Sequence, residues 1–394
     1  MMTPRKTRKL PLYLSLVLAL ILTQALMLVA HAQEAETPDP CGPMGTEAVA
    51  ESLGADFDLA SLDAKIGFLY VGPVDDFGYN YAANQGKLCM EALFPNAEFL
   101  VAENVPENAE AERVMEQMIR SGATIIFPTS FGHLDPAIRV GQRFPDVTFF
   151  HLGGPQTTEN VGTFFGEIWQ MEYASGVAAG LMTETNKLGF IVAFPIPQVL
   201  LNINAFHLGA QSVNPDVTTT VIFTSNWCDP GTQAEAANTL IEQEIDVITQ
   251  HEDCPKPIIE AADRNAVWSV GYHADASTVA PETWITGARW VWGPSMAALA
   301  IEAFEGTYEP KIQRLGIADG VVDLSVFGPN VPDEVIEQVE AVKEAIIADE
   351  LFPFEGPIYD QAGNVVIEEG VRPDTLTLES MNYLVDGVVG TIPN

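Results

Sequence analysis

The sequence predicts two α/β lobes, each a doubly wound parallel sheet with helices on both faces, joined by a hinge. The tetrapeptide Lys-Ile-Gly-Phe at 65–68 recurs 122 residues later as Lys-Leu-Gly-Phe at 187–190. Strand and helix patterns alternate along both halves, which is typical of parallel sheets. A chain of 394 residues also exceeds the usual size of one core. Pockets favour domain interfaces and the carboxyl ends of parallel strands, so we expect a clamshell that closes on a ligand.

The N-terminus has the pattern of a secretory signal peptide. Basic residues at positions 5, 6, 8 and 9 precede an apolar stretch at 10–30, and Ala30-His31-Ala32 is a small-x-small cleavage signature. We predict a signal peptide at 1–32 and an exported protein, in the periplasm or at the outer face of the cytoplasmic membrane. An uncleaved anchor is the alternative, since the stretch is about long enough to span a bilayer.

The net charge of the chain argues against a polyanionic partner. The first 32 residues hold four of the 18 basic residues and none of the 54 acidic ones, which leaves 54 acids against 14 bases. Such a field repels phosphate backbones, so we expect no nucleic-acid partner. The acids are scattered, which is typical of a solvated surface.

The order of the elements follows from the hydrophobic periodicity. Residues 33–63 lack such periodicity and indicate an N-terminal leader, with order beginning at Lys65. Lobe 1 is predicted at 64–166, with strands at 66–71, 98–102, 124–127 and 148–152 and helices near 82–92, 109–121 and 136–143. Lobe 2 is predicted at 167–290, with strands at 188–193, 219–224, 247–250, 267–271 and 284–288 and helices near 171–182, 204–213, 232–243 and 258–264. Residues 291–394 are predicted to supply a return helix at 295–305 that helps to complete lobe 1, then a helix at 333–349 and a hairpin at 357–368 that brace the hinge.

The loops at the predicted ligand end are rich in aromatic, amide and carboxylate side chains. Aromatic rings can enclose a flat ligand, while carboxylates and amides bind its N–H and hydroxyl groups, so a heteroaromatic ligand fits. The alternative is that the rings cap each sheet as ordinary core. The candidate ligand-binding residues are Asp76, Tyr79, Ser130, Phe131, Phe194, Trp227, Asp253, Asp275 and Trp292.

The four cysteines belong to a chain that meets an oxidising compartment, where pairing is permitted. Cys228 and Cys254 each follow a predicted strand at the same end of lobe 2, and a disulfide between them is one expectation. A strand of the same sheet can lie between theirs, so the two loops would have to curl toward each other. Metal-site spacing is absent, and we expect neither a metal nor a cofactor.

Enzymatic functions lack their usual motifs in this sequence. There is no Gly-x-Ser-x-Gly elbow, no Walker-type loop and no Gly-x-Gly-x-x-Gly after a strand. Asp75 and Asp76 are adjacent, and adjacent side chains rarely aim at one atom, so a turn role is the simpler interpretation. His251 and His273 could act as bases, but no nucleophile pairs with them. We therefore expect a binding protein rather than an enzyme.

A set of motifs runs from about residue 64 to the C-terminus. They are Asp76-Phe77-Gly78-Tyr79-Asn80-Tyr81, Glu103-Asn104-Val105-Pro106-Glu107, Thr129-Ser130-Phe131-Gly132, Phe194-Pro195-Ile196-Pro197, Asn202-Ile203-Asn204-Ala205-Phe206, Gly209-Ala210-Gln211-Ser212, Asp229-Pro230-Gly231, Ile248-Thr249-Gln250-His251, Trp292-Gly293-Pro294 and Gly356-Pro357-Ile358. As a set, these motifs resemble the basic membrane protein family of ABC-transporter substrate-binding proteins.

The resemblance implies a type I periplasmic-binding-protein fold and a purine ligand, either a nucleoside or a free base. Its implied partners are a membrane permease and a cytoplasmic ATPase, and we expect a monomer. It implies that Tyr79 stacks on the ligand where the family usually has Trp, and that Asp275 is the family carboxylate that accepts ligand hydrogen bonds. Trp290 replaces a usual polar residue, which favours a free base such as adenine over a nucleoside. Cys228 and Cys254 both replace non-cysteine residues, which supports their disulfide.

Three other functions remain open at this point. A ligand-sensing receptor would use the same pocket, and a nearby transport operon would separate the two. A purine-modifying enzyme would turn over adenine or adenosine. A surface adhesin would have no small-molecule ligand at all.

Overall fold

The computed structural model describes residues 39–393, so the predicted signal peptide lies outside the described residues. Order begins before Lys65, and the expectation of an unstructured leader up to that residue is wrong. Helix α1, Gly45–Gly54, buries Val49, and a 3₁₀ turn follows at Leu59–Ser61. Cys41 forms a disulfide with Cys89. The disulfide and the burial of Val49 and Leu62 in the core hold a segment whose composition alone indicated no regular structure.

Lobe 1 is built around a six-stranded parallel sheet with helices on both faces. Its central strands are almost wholly buried, which is typical of parallel sheets covered on both sides. The strands are β1 Lys65–Leu69, β2 Glu98–Ala102, β3 Ala123–Pro128, β4 Thr148–Leu152, β5 Val161–Gly166 and β11 Ile312–Leu315, and the helices are α2 Tyr79–Leu93, α3 Ala109–Arg120, α4 Leu134–Arg143 and α9 Trp292–Glu305. The strand order is β11-β5-β4-β3-β1-β2.

Lobe 2 is built around a seven-stranded sheet. Its strands are β6 Lys187–Val192, β7 Thr218–Phe223, β8 Val247–His251, β9 Trp268–His273, β10 Trp284–Trp290, β12 Val322–Leu324 and β15 Val388–Val389. Its helices are α5 Trp169–Met182, α6 Pro197–Val213, α7 Pro230–Ile241, α8 Lys256–Arg264 and α10 Asp333–Ile347. The strand order is β12-β10-β9-β8-β6-β7-β15, and only β12 pairs antiparallel within the described sheet.

Three chain crossings connect the lobes, and they are hydrogen-bonded to each other. The first follows β5, the second joins β10 to α9, and the third joins β11 to β12. The amide of Glu167 donates to the carbonyl of Leu315 at 2.8 Å, and the amide of Val291 donates to the carbonyl of Val321 at 2.9 Å. The three crossings therefore form one hinge.

The C-terminal segment contacts both the hinge and lobe 2. It contains the hairpin β13 Ile358–Tyr359 and β14 Val365–Ile367 and the short helix α11 Thr375–Leu378. Thr375 donates its hydroxyl to Glu167 in the first crossing, and Arg314 on β11 pairs with Glu379. Strand β15 then pairs with β7 at the edge of the lobe 2 sheet.

The structure departs from the predicted elements mainly at short or edge strands. Strands β5, β11, β12 and β15 were not predicted, and the last three have four residues or fewer. Helix α6 begins at Pro197 rather than near Asn204, because Pro197 stands at the first helical position, where its missing N–H costs nothing. The return helix, the helix after 333 and the hairpin are present as predicted.

Candidate functional site

The ligand crevice of a doubly wound sheet lies where the strand order reverses. In lobe 1 the reversal falls between β1 and β3, and in lobe 2 between β6 and β8. The loops that follow these four strands carry Asp76, Ser130, Phe194 and Asp253. The candidate site is therefore the cleft between these two edges.

The loop after β1 reaches across the cleft and contacts lobe 2. Phe77 packs against the cluster of Ile259 and Trp284, and it adopts a left-handed backbone with φ 59°. Gly78 lies directly against the backbone of Asp253, because a Cβ added at Gly78 would stand 1.7 Å from the Asp253 carbonyl oxygen. The structure therefore has the two lobes closed on each other.

Asp76 organises that loop. Its Oδ1 accepts from the amides of Gly78 at 2.8 Å and Tyr81 at 3.2 Å, and its Oδ2 accepts from the side-chain amide of Asn80 at 3.3 Å. Burial raises the pKa of Asp76, while these hydrogen bonds act to lower it. Both carboxylate oxygens are thus engaged at the start of α2, which is the turn role considered from the sequence.

Tyr79 is the lobe 1 ring that faces lobe 2. Its hydroxyl donates to the carbonyl of Thr129 at 2.7 Å, and its ring stands edge-on to His273 with centroids 5.6 Å apart. Burial raises the pKa of Tyr79 far above its ordinary value, and the charges of Asp253 and Glu107 add to the effect. The phenol is therefore neutral and fixed in direction.

Ser130 and Phe131 differ from the sequence-based expectation. The Ser130 hydroxyl donates to Oε1 of Glu107 at 2.6 Å, and the amide of Gly132 donates to the same oxygen at 2.7 Å. The hydroxyl proton of Ser130 is therefore used in a hydrogen bond within lobe 1. Phe131 is 66% exposed and makes no ring contact among the described residues, so the closed structure does not bring it to the other site residues.

In lobe 2, a disulfide holds two candidate residues together. Cys228 and Cys254 are bonded with their Cα atoms 5.3 Å apart, although β6 lies between the strands that precede them. The amide of Asp253 donates to the carbonyl of Trp227 at 2.7 Å. Trp227 meets Phe194 edge-on at 5.3 Å. The curled loops form an aromatic wall beside Asp253.

Asp253 has the most perturbed carboxyl of the candidate set. Burial raises the pKa of Asp253 to about 8, and the charges of Asp76 and Glu107 add to the effect. Its carboxyl accepts no hydrogen bond from any described residue, and no described Lys or Arg forms an ion pair with it. Near neutral pH this group can both donate and accept a hydrogen bond.

Behind Asp253 lies a set of rings that sequence reasoning did not assign to the ligand. His251 and Tyr272 have centroids 4.3 Å apart, and Tyr272 and His273 4.0 Å apart. The side-chain amide of Asn202 donates to Nδ1 of His251 at 3.1 Å and to the Tyr272 hydroxyl at 3.0 Å. The indole of Trp290 donates to Nδ1 of His273 at 3.0 Å. Lobe 2 thus presents a bonded aromatic cluster.

Asp275 and Trp292 complete the candidate set. Asp275 accepts from the amide of Ser277 at 2.9 Å, and its charge adds to the burial that raises the pKa of Tyr81 in lobe 1. Trp292 is 1% exposed and stacks on Trp290 at 4.7 Å. In the structure Trp292 packs against Trp290, and its direct contact with a ligand stays a prediction.

Comparison with known proteins settles the family. A family model described as "ABC transporter substrate-binding protein PnrA-like" matches residues 64–352. The chain belongs to the Bmp family. Its fold is the type I periplasmic-binding-protein fold, as expected from the resemblance. A solute-binding protein of an ABC transporter system from Conexibacter woesei superposes with a TM-score of 0.64 at 21% identity, covering 73% of this chain and 98% of that one.

Two relatives of the chain have names that differ in ligand. A purine-binding protein of Brucella abortus is 39% identical over 330 residues, which is 84% of this chain and 94% of the relative. A putative ABC transporter glucose-binding protein of Haloferax volcanii is 36% identical over 331 residues, which is 83% of this chain and 81% of the relative. Within residues 39–393, none of the helices has the length and hydrophobicity needed to cross a bilayer.

For this Bmp-family chain, sequence reasoning left Glu107, Tyr272 and Trp290 out of the candidate ligand-binding set, although it used Trp290 to favour a free base. It considered His251 and His273 as possible bases. The available signals were position and composition. His251 and His273 end β8 and β9 at the ligand edge, and Trp290 is a departure from the family pattern at the end of β10. What could not be read from the sequence is which of their polar atoms are already bonded.

Proposed function

We propose that this Bmp-family protein captures a purine between its lobes, with a free base such as adenine as the first choice, and delivers it to a membrane permease with a cytoplasmic ATPase. The observation that carries the proposal is the half-buried carboxyl of Asp253. It has no hydrogen-bond partner and no paired cation among the described residues, and it stands beside the aromatic rings of lobe 2. The name of the Brucella relative supports the same ligand class.

The chemistry of a purine edge matches that carboxyl. A neutral carboxyl offers one O–H donor and one acceptor, and adenine presents an N–H donor next to a ring nitrogen acceptor. A carboxyl that takes up a proton in the closed protein can therefore bind this edge without an added cation. Tyr79 from lobe 1 and Trp227 from lobe 2 supply rings on either side, and Asp275 supplies a further acceptor.

Closure provides the mechanism. The ligand adds contacts that exist only when Tyr79 and Gly78 have reached lobe 2, so it stabilises the closed state. The hinge lets the lobes move as units, because its three crossings are bonded to each other rather than to the cleft loops. No covalent step is required of the protein.

A sugar is the second candidate, because the Haloferax relative is named as a putative glucose-binding protein. Carboxylates and aromatic faces also suit sugars. The two candidates differ in what Asp253 must do, since sugar hydroxyls both donate and accept and do not need a carboxyl held in its neutral form.

The test is isothermal titration of the chain lacking residues 1–32 with adenine, hypoxanthine, adenosine, glucose and xylose. We expect binding of adenine, and a loss of affinity of about 100-fold in Asp253→Ala. Asp216→Asn, an exposed carboxylate of the same lobe, is the matched control and should bind as the wild type does. Binding of sugars alone would refute the purine proposal, and recovery of chemically altered adenine after incubation would instead indicate an enzyme.

A further inference from the structure

His273 is strained and buried at the edge where the lobes meet. It is the last residue of β9, it is 2% exposed, and its backbone has φ 77°. A left-handed backbone strains a residue that has a Cβ, and such strain clusters at binding sites. Its ring is 5.6 Å from that of Tyr79 in the other lobe. The fold therefore holds this imidazole at the cleft at an energetic cost.

The hydrogen bond from Trp290 determines which nitrogen of His273 carries the proton. An indole N–H can only donate, so Nδ1 of His273 must accept with its lone pair. Burial holds the pKa of His273 well below its ordinary value, and the neighbouring His251 lowers it further. A neutral imidazole has one N–H, and with Nδ1 accepting, that proton is on Nε2. The tautomer follows from chemistry rather than from an assigned hydrogen position.

The neighbouring His251 does not allow the same conclusion. Its Nδ1 faces the side-chain amide of Asn202, and an amide can present either its nitrogen or its oxygen. His273 is thus the imidazole of the cleft whose donor direction is determined.

Nε2 of His273 is a buried donor without a partner. No described residue accepts a hydrogen bond from it, although the nearby backbone carbonyl of Glu252 acts to raise the pKa of the ring. An unpaired buried N–H is costly, and most such groups in native proteins find an acceptor. A ligand in the cleft can supply that acceptor.

We propose that His273 is a specificity-determining residue whose Nε2–H donates to a ring nitrogen or carbonyl oxygen of the bound base, and that Trp290 is the positioning residue that fixes this tautomer. The inference rests on the proposed function and deepens it. The ligand must carry an in-plane acceptor next to the edge bound by Asp253.

The packing around Trp290 suits this role. Its indole stacks on Trp292, the first residue of α9, at 4.7 Å and lies 4.9 Å from Phe165 near the end of β5. These two rings thus fix the direction of the indole N–H. Replacing Trp290 by Phe keeps an aromatic ring in this packing and removes the donor.

The experiment compares adenine with 1-deaza-, 3-deaza- and 7-deazaadenine, each of which replaces one ring acceptor by C–H. For the wild type we expect two analogues to bind about 10-fold more weakly than adenine, one that lacks the ring nitrogen bound by Asp253 and one that lacks the acceptor of His273. His273→Asn tolerates the left-handed backbone and can still accept from Trp290, but it lacks the ε donor, so one of the two penalties should disappear. His273→Gln restores a donor near Nε2 and should retain part of that penalty.

Trp290→Phe is compared with Trp268→Phe. Trp268 begins β9, at the end of the strand opposite His273, so its replacement removes an indole that does not contact His273 through Nδ1. Histidine ¹⁵N spectra, with the His273 signal identified by its absence in His273→Gln, should show Nε2–H in the wild type and in Trp268→Phe. In Trp290→Phe the Nδ1–H form should appear, and adenine should bind about 5-fold more weakly.

Three results would overturn the inference. They are an Nδ1–H tautomer in the wild type, no more than one weakened analogue among the three, and two deaza penalties that both persist in His273→Asn. Failure of the wild type to bind any purine would instead overturn the proposed function, and with it the purine role of His273. The ¹⁵N tautomer is read without ligand, so the two failures can be told apart.

Discussion

The two walls of the cleft are built differently. In lobe 1 the carboxylates Asp76 and Glu107 are bonded to groups of their own lobe, and the Tyr79 hydroxyl is bonded to a lobe 1 carbonyl. In lobe 2 the Asp253 carboxyl and Nε2 of His273 have no hydrogen-bond partner within residues 39–393, while their neighbours are held by a disulfide and by bonds between side chains. The comparison indicates that lobe 2 recognises the ligand and that lobe 1 closes over it.

A substitution at the point of contact between the walls gives the largest expected effect. Gly78→Ala places a Cβ against the Asp253 carbonyl only when the lobes are closed. The φ of Gly78 is −114°, outside the left-handed region, so the substitution adds no left-handed strain to lobe 1. We expect purine affinity to fall by about 100-fold, because the closed state is penalised by several kcal/mol.

Titration calorimetry measures the affinity, and the radius of gyration with saturating ligand reports whether the protein still closes. Gly54→Ala, at the end of α1, is the control, since a Cβ there meets only a Leu59 methyl at 3.9 Å. Wild-type affinity in Gly78→Ala would mean that the ligand-bound state is more open than this structure.

The two disulfides allow a direct test of the difference between the walls. The Cys228–Cys254 bond lies in the lobe 2 wall and joins residues 26 positions apart. The Cys41–Cys89 bond lies outside the cleft and joins residues 48 positions apart. Replacing either pair by Ser should lower the free energy of unfolding by about 3 kcal/mol. Only the Cys228/Cys254 variant should also lose ligand affinity, by about 10-fold, since Trp227 and Asp253 flank that bond.

Chemical denaturation and titration of the same two variants provide the measurements. Equal loss of affinity in both variants would show that the disulfide acts through global stability alone, and the proposed preorganisation of lobe 2 would be wrong.

The smallest expected effect concerns the pH dependence of the free protein. The pKa of Asp253 is about 8 in the folded state and about 4 in an unfolded chain, so the folded state holds an extra proton between these values. The resulting stability is fully present below pH 4 and is lost as the pH rises through 8. Asp253→Asn has no such proton, so at pH 8.5 we expect it to be more stable than the wild type by about 1–2 kcal/mol.

Urea denaturation from pH 4 to pH 8.5 compares the two proteins. Glu252, whose pKa burial also raises to about 8, is present in both proteins. The charge of Asp253 adds to that shift, so Asp253→Asn also relieves Glu252 and enlarges the difference in the same direction. A difference that does not grow with pH would show that Asp253 is ionised throughout, and the neutral-carboxyl account of purine binding would lose its basis.

The sequence allowed the fold to be predicted further than the site. The repeat at 65–68 and 187–190 marks β1 and β6, the strands beside the two reversals of strand order, and so it located both loop sets. Strand periodicity did not reveal β12 or β15, because three and two residues are too few to show an alternation. The leader was misjudged because Cys41 acts through a bond to a residue 48 positions away.

Side-chain roles were harder to predict for a physical reason. The position of a loop follows from topology, whereas the direction of a side chain depends on the competition for its polar atoms. Ser130 and Asp253 both follow strands at a reversal of strand order. The Ser130 hydroxyl is bonded to Glu107, whereas the Asp253 carboxyl has no hydrogen-bond partner among the described residues. Phe131 is exposed in the closed structure. His273 became a candidate hydrogen-bond donor to the ligand only from the structure, in which the Trp290 indole donates to Nδ1 and leaves the proton on Nε2.

The ends of the described chain are attached to opposite lobes. Cys41 is bonded to α2 of lobe 1, and β15 pairs with β7 at the outer edge of lobe 2. Fluorophores attached near Gly45 and Gly390 would therefore move with different halves of the molecule. The native architecture already has the layout of a single-chain biosensor, in which ligand capture is reported as a change in energy transfer between the two fluorophores.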